Sequence, residues 1–218
     1  MPEERPAYDA KLDLIVRTAA AIIADKGFHR ASIRDISRAT GVSLSGLYYY
    51  FKSKDELLFL IQDHCFGRVL DNLERLLEGV TDPEERLRIL IGNHLRFFSA
   101  NMKEMKVLSH EAGSLTGEYR ERVNAKKRRY AEVCADILRA LRPAGSPVDL
   151  RAATFSLFGM LNWIYNWYHP DRDEPVEALA EDVGHLFLRG FLADPEADRK
   201  VFVAGGAPDD AGPSIWSR

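Results

Sequence analysis

From Leu12 to Leu192 the apolar residues recur at three- and four-residue steps, and no stretch alternates for long enough to make a strand. That period constrains the fold more than any other feature. Each such segment is a helix with one apolar face, and a series of them must bury those faces against one another. The punctuation then divides the chain. Leu12, Ile15, Val16, Ala19, Ile22 and Ile23 share one face of a first helix, which Gly27 ends. Ser32 with Asp35 three residues on reads as a weak capping box opening a second helix, and Gly41 as a tight turn. Ser43 caps a very short third helix to about Tyr50. Ser53 with Glu56 reads as the full capping box, opening a long fourth helix. Asp82-Pro83-Glu84-Glu85 restarts the chain with a cap, a proline at the first helical position and acids in the first turn.

Further helices are expected to near Asn101, over about 103–112 and over about 115–141. Asp149 is expected to cap one to about Tyr168, and a last helix follows Pro175 and reaches Leu192. The predicted fold is all-α, with about nine helices. Residues 194–218, dominated by Pro, Gly and Asp, read as a mobile tail.

Composition narrows the function. The 218 residues are 46% hydrophobic, enough for a sizeable core, and the net charge of −3 excludes a polybasic coat for nucleic acid. The two cysteines, Cys65 and Cys134, lie in apolar helical patterns without metal-ligand spacing, as buried thiols of a reducing compartment do. The longest apolar stretch, 155–168, is interrupted by Asn162 and Asn166 and falls short of the roughly 20 residues of a membrane span. The charged N-terminus has no signal core. A cytoplasmic protein without a membrane partner is expected. The six histidines are scattered, and no nucleophile–base or metal-ligand constellation appears. Neither catalysis, a metal nor a cofactor is expected.

Local charge points elsewhere. Between Gly27 and Lys54 stand Arg30, Arg34, Arg38, Lys52 and Lys54 against Asp35 alone, a basic island on an acidic chain. Helix, tight turn and short helix over 32–50 outline a helix-turn-helix, whose second helix enters the major groove. Val42, Leu47 and Phe51 are spaced to pack on Ile33 and Ile36. Ser43, Leu44, Ser45 and Gly46 then form the first turn that meets the groove: hydroxyls for bases or phosphates, Leu44 for thymine methyls, and Gly46 for close approach. Tyr48, Tyr49 and Tyr50 fan over more than half a turn, one packing inward and the others offering hydroxyls to phosphates. Lys54 adds a charged contact at the start of the fourth helix. The same outline also fits a helical protein-interaction module without DNA binding.

The segment "GFHRASIRDISRATGVSLSGLYYYFKSKDELL" closely resembles the DNA-binding part of the TetR family of bacterial transcriptional regulators. Gly27, Ser32, Ile33, Ile36, Gly41, Val42, Ser43, Leu47, Tyr48, Tyr50, Phe51, Ser53, Lys54 and Leu57 match its pattern, and Ser37 replaces the commoner alanine. The resemblance implies a homodimer reading a palindromic operator, with residues 8–52 as the DNA-binding domain and 53–193 as the effector-binding and dimerisation domain. It implies phosphate contacts from Ser32, Tyr48, Tyr49 and Lys54, and base contacts from Arg34, Leu44 and Ser45.

In the larger domain, Phe97, Phe98, Met102, Met105, Leu108 and His110 gather at one helix junction, and Phe158, Asn162, Trp163, Asn166 and Trp167 crowd another helix. They are the candidate lining of an apolar effector pocket, against the alternative of plain core packing. "HEAGSLTGEYRERVNAKKRRYAEV" and "FSLFGMLNWIYNWYHP" look similar to the acyl-CoA-responsive branch of the family, which regulates fatty-acid and sterol-type degradation. That likeness implies a repressor released by a long-chain or sterol-type acyl-CoA. It gives a use to Arg120, Arg122, Lys126, Lys127, Arg128 and Arg129 as receivers of phosphates, where a solvated charged face is the other reading. A regulator of efflux or detoxification sensing another apolar or aromatic molecule remains open. For dimerisation the candidates are Phe155, Val183, Leu186, Phe187, Gly190 and Phe191, on the last two helices, which the family pairs in a four-helix bundle. The same stripe also suits intramolecular core.

Overall fold

The computed structural model describes residues 4–146 and 148–192, with side chains described from residue 10 onward. The expected tail, 194–218, lies outside the described residues. Among these, nine α-helices and no strand are found: α1 (Glu4–Lys26), α2 (Ile33–Thr40), α3 (Leu44–Tyr50), α4 (Lys54–Leu76), α5 (Pro83–Ser99), α6 (Met102–His110), α7 (Gly117–Leu141), α8 (Leu150–Asn162) and α9 (Val176–Phe191). A 3₁₀ turn, Trp163–Asn166, follows α8.

The predicted caps form, with one inversion. At Ser32 the box is complete: Ser32 Oγ accepts from the Asp35 N–H at 3.1 Å, and the Asp35 carboxylate accepts from the Ser32 N–H at 3.1 Å. At Ser53 only half forms. Ser53 Oγ accepts from the Glu56 N–H, but the Glu56 carboxylate reaches one residue further back, to the Lys52 N–H at 2.6 Å. Glu is long enough to overshoot its own cap. The shorter Asp, expected to be the weaker partner, closes its box, and Lys26 holds it from outside at 3.2 Å. Asp82 and Asp149 cap α5 and α8 as the sequence indicates.

Two apolar cores share α4. The first joins Ile15, Ala19 and Ile23 of α1, Ile36 of α2, Leu47 and Phe51 around α3, and Leu57, Leu58 and Ile61 of α4. It also takes Val107 of α6 and Leu115 and Val123 at and beyond the α6–α7 turn. The second joins the rest of α4 to α5, α7, α8 and α9, with Leu73, Leu90, Leu95, Cys134, Leu157 and Leu161 fully buried. Phe66 packs against both. Cys65 and Cys134 are free and buried, with their thiols pushed up to about 12 by desolvation, so neither is a reactive thiolate.

Candidate functional site: reading head and buried cavity

In the reading head, Leu47, Phe51 and Ile36 are fully buried, and Ile33 and Val42 pack beside them. Gly41 turns the chain with φ +69°, the left-handed region that favours glycine. Gly46 also has a reason within the fold. A Cβ there would lie 2.9 Å from Val42 Cγ1 and 3.2 Å from Ser43 Oγ, so a larger residue would crowd α3 against its own turn. Ser43 Oγ accepts from the Gly46 N–H and lies 3.1 Å from Ser45 Oγ, a capping role. Ser32 Oγ is likewise committed to its box.

On the outer face, Arg34, Leu44, Ser45, Tyr48 and Tyr49 are exposed, with Tyr49 at 75%. Tyr50 is half-buried and meets Tyr49 edge-on, with ring centroids 5.4 Å apart. Lys54 does not simply project outward. Its ammonium donates to the His29 carbonyl at 3.1 Å and sits 4.5 Å above the Phe28 ring, tying the start of α4 to the loop after α1.

That loop is also tied to the other half of the molecule. The Phe28 N–H donates to Glu111 Oε1 at 2.9 Å, Ser114 Oγ donates to Glu111 Oε2 at 2.7 Å, and the Gln62 side chain of α4 donates to the Glu111 carbonyl at 3.1 Å. Glu111 caps the C-terminus of α6. Lys103 of α6 pairs with Asp25 of α1 at 2.7 Å.

A cavity of about 310 Å³ opens beside α6. Its walls are Phe66 of α4, His94 and Phe98 of α5, Met105, Leu108 and Ser109 of α6, Ala112, then Lys127, Tyr130 and Ala131 of α7, and Phe155, Phe158 and Asn162 of α8. Five of the eleven residues expected to line a pocket are here: Phe98, Met105, Leu108, Phe158 and Asn162. The other six are not. Phe97 is one residue from Phe98, about 100° around α5, and faces a separate crevice with His64 and Arg68. Met102 packs half-buried against the second core. His110 turns its ring to the Tyr165 hydroxyl at 3.2 Å and lines a groove against α1. After Asn162 the helix tightens to three residues per turn, which takes Asn166 off the Phe158–Asn162 row. Asn166 and its neighbours Trp163 (61% exposed) and Trp167 (48%) face outward. The expectation of one helix to Tyr168 is corrected in the same way.

Reading the sequence missed His94, Tyr130, Phe66 and Lys127. The available signal was Asn93-His94 set into the apolar face Leu90, Ile91, Leu95, Phe98 of α5, a polar pair where a helix buries its stripe. His94 is packed among Phe98 (centroids 4.7 Å), Tyr130 (5.9 Å) and Phe158 (6.0 Å). Burial lowers its pKa to about 3, although Asn162 nearby favours the charged form. Its Nδ1 lies 3.3 Å from the Tyr130 hydroxyl. Burial raises the Tyr130 pKa, partly offset by Asn93.

The basic run on α7 is divided. Lys126 pairs with Asp63 at 2.7 Å, Arg129 with Glu74 at 2.8 Å, and Arg122 lies 4.6 Å over Phe59. Lys127 instead reaches the cavity rim, half-buried, 5.1 Å over Phe66, and desolvation lowers its pKa. Of the expected dimer residues, Val183 and Phe191 are buried in their own chain's core, and Phe187 stacks half-buried on Phe191 at 5.5 Å. Phe155, Leu186 and Gly190 are exposed. No group of three or more metal-ligating side chains occurs among the described residues, and no helix there is long and apolar enough to cross a membrane.

Residues 15–61 match the family model described as bacterial regulatory proteins, tetR family, and residues 80–191 the model described as tetracyclin repressor-like, C-terminal domain. The chain is 24% identical over 195 residues to the fatty acid metabolism regulator protein of Bacillus subtilis, spanning 88% of this chain and 98% of that one. It is 26% identical to the transcriptional repressor KstR2 of Mycolicibacterium smegmatis, over 91% of this chain and 99% of the other. Among solved structures, a TetR-family regulator from Bordetella parapertussis is 32% identical with a TM-score of 0.76, covering 83% of this chain and 95% of that one. AibR, solved with isovaleryl coenzyme A and operator DNA, is 30% identical with a TM-score of 0.72, covering 81% and 98%. The chain belongs to the tetR family of bacterial regulatory proteins: it is a ligand-responsive, DNA-binding transcriptional regulator that acts as a dimer, and not an enzyme.

Proposed function

We propose that this regulator is a cytoplasmic repressor whose effector is a coenzyme A thioester, with the acyl group in the cavity and the anionic coenzyme A arm leaving it past Lys127. The observation that carries the reading is Lys127. It is the member of the α7 basic run that stands on the wall of the apolar cavity, and no acid among the described residues pairs with it. A half-desolvated cation of this kind gains most from an anion brought by the ligand. The relatives agree in kind: AibR was solved with an acyl-CoA, and the Bacillus subtilis relative is named for fatty acid metabolism.

In this reading, residues 8–52 read DNA and 53–193 sense and dimerise. Arg34, Leu44 and Ser45 meet base edges. Tyr48 and Tyr49 hold phosphates, with Tyr50 bracing them, while Ser32, Ser43 and Gly46 set the shape of the head. Lys54 shares its ammonium between the His29 carbonyl and a phosphate. Two heads must then stand about 34 Å apart to enter successive major grooves. An acyl group entering beside Met105 and Leu108 pushes on α6, and Glu111 at its end carries the shift to the Phe28 loop and so to the spacing of the heads.

Fluorescence anisotropy on promoter DNA from the protein's own gene tests this. An acyl-CoA should release the operator at concentrations where the matching free acid does not. Equal action of the two, or none by either, defeats the thioester reading and favours another apolar effector.

A further inference from the structure

Resting on that assignment of the cavity, its inner end shows what part of a ligand it recognises. A chain of hydrogen bonds runs to it through the protein, and its polarity is fixed at both ends. The Arg75 guanidinium donates to the Asn72 side-chain oxygen, since arginine has no acceptor. Asn72 must then offer its NH₂ to the Asn93 oxygen. That leaves the Asn93 NH₂ as donor, and it bonds the Val69 carbonyl, which can only accept, at 3.0 Å. The same amide lowers the pKa of Tyr130, as a donor to the phenol oxygen does. The Tyr130 O–H is thus left to donate to His94 Nδ1 at 3.3 Å. A neutral imidazole whose Nδ1 accepts carries its proton on Nε2. Nε2 is buried and has no hydrogen-bond partner. Asn162, on the cavity wall, approaches the ring as a weak acceptor that favours its charged form, without the distance and angle of a formed hydrogen bond.

A buried donor without a well-formed partner, in the wall of a largely apolar cavity, costs stability until a ligand supplies a better acceptor. Size sets the second limit. At about 30 Å³ for each methylene- or water-sized group, the cavity holds about ten non-hydrogen atoms. A longer acyl chain would have to run out through its open side.

We infer that the cavity selects a compact acyl group of about ten non-hydrogen atoms, bearing at its buried end a hydrogen-bond-accepting oxygen that meets His94 Nε2–H. This narrows the long-chain or sterol-type effector that the sequence resemblance implied. Lys127 favours an anionic ligand at the wall, and His94 and Tyr130 read its acyl end.

Calorimetry on the full-length dimer with three thioesters tests the selection: 7-oxo-octanoyl-CoA, octanoyl-CoA and palmitoyl-CoA. The oxo ester should bind about tenfold tighter than octanoyl-CoA, and palmitoyl-CoA should be the weakest. Tyr130→Phe should erase the tenfold preference, because the imidazole is no longer held in one tautomer, while octanoyl-CoA still binds. Equal affinity of the two octanoyl esters, or tightest binding by palmitoyl-CoA, overturns the inference. A tautomer measurement does not depend on coenzyme A. In ¹⁵N-labelled protein, long-range ¹H–¹⁵N correlation should show His94 with its proton on Nε2, and titration with 2-octanone should move that resonance. A proton on Nδ1, or no response to the ketone, overturns the inference even if acyl-CoA esters bind. If the ketone moves the resonance and no CoA ester binds, the cavity inference stands and the thioester reading fails.

Discussion

His94 is held neutral by burial, with its pKa lowered to about 3 from an ordinary 6.5. Its titratable neighbour across the ring is Tyr130, which burial keeps protonated, so no carboxylate compensates. Below pH 6.5 the unfolded chain binds a proton at this position that the folded chain refuses. Stability is therefore complete above pH 6.5 and is lost as pH falls from there toward 3. At pH 5 the loss from this one residue is about 2 kcal/mol. Urea unfolding at pH 7 and pH 5 should show that loss in the parent protein and not in His94→Phe, which removes the titration. An equal acid loss in both proteins would assign it to other groups. Residues of this kind were the least legible in the sequence. The side chains that face water in the head (Arg34, Leu44, Tyr48, Tyr49) sit where local spacing placed them, because one short helix decides their direction. His94, Tyr130 and Lys127 come from two helices whose facing is set only when the core packs.

At the scale of elements, the boundaries were legible to within a few residues wherever a cap or glycine marks them, as at Ser32, Gly41, Ser43 and Asp82. The failure was α8, where the apolar run continues through a change of helical pitch at Trp163 that no capping residue announces. The 3₁₀ turn moves two tryptophans from the expected pocket to the outside. Nor could α6 be recognised as a connector. Its inner face borders the cavity through Met105 and Leu108, and Val107 enters the first core. Its last cap, Glu111, accepts the Phe28 N–H and the Ser114 hydroxyl. An effector that displaces α6 must strain or break those bonds. Glu111→Gln keeps the shape but weakens the charge-assisted acceptance that ties α6 to the loop. Operator binding without effector should be retained within about threefold, because the Gln still accepts one bond. The effector concentration needed for release should shift several-fold. Unchanged release, measured by anisotropy, would mean that the signal travels along α4 instead.

Among the described residues, α8, its 3₁₀ turn and α9 leave several large apolar side chains uncovered. Phe155 (56% exposed), Met160 (36%) and Trp163 (61%) from α8 and its turn, Trp167 (48%) beyond it, and Leu186 (69%) from α9 lie outside both cores. Large side chains at such exposure are costly in a monomer and form a ready interface when several adjoin. Gly159 and Gly190, each with nothing within 4 Å of a Cβ, sit on the same helices and leave room for close approach. A dimer formed on this stripe would leave Val183 and Phe191 in the core, where their own chain already buries them. The substitutions therefore separate. Val183→Ala removes core volume and should lower stability by about 1 kcal/mol while leaving the dimer intact. Leu186→Arg touches no core contact and should leave the monomer folded. It places like charges against each other across a two-fold interface and should weaken dimerisation at least tenfold. Sedimentation equilibrium reads the first consequence. The second is lost operator affinity, since a monomer presents one reading head where the palindrome needs two held in register. A Leu186→Arg protein that stays dimeric at low micromolar concentration would place the interface on another face.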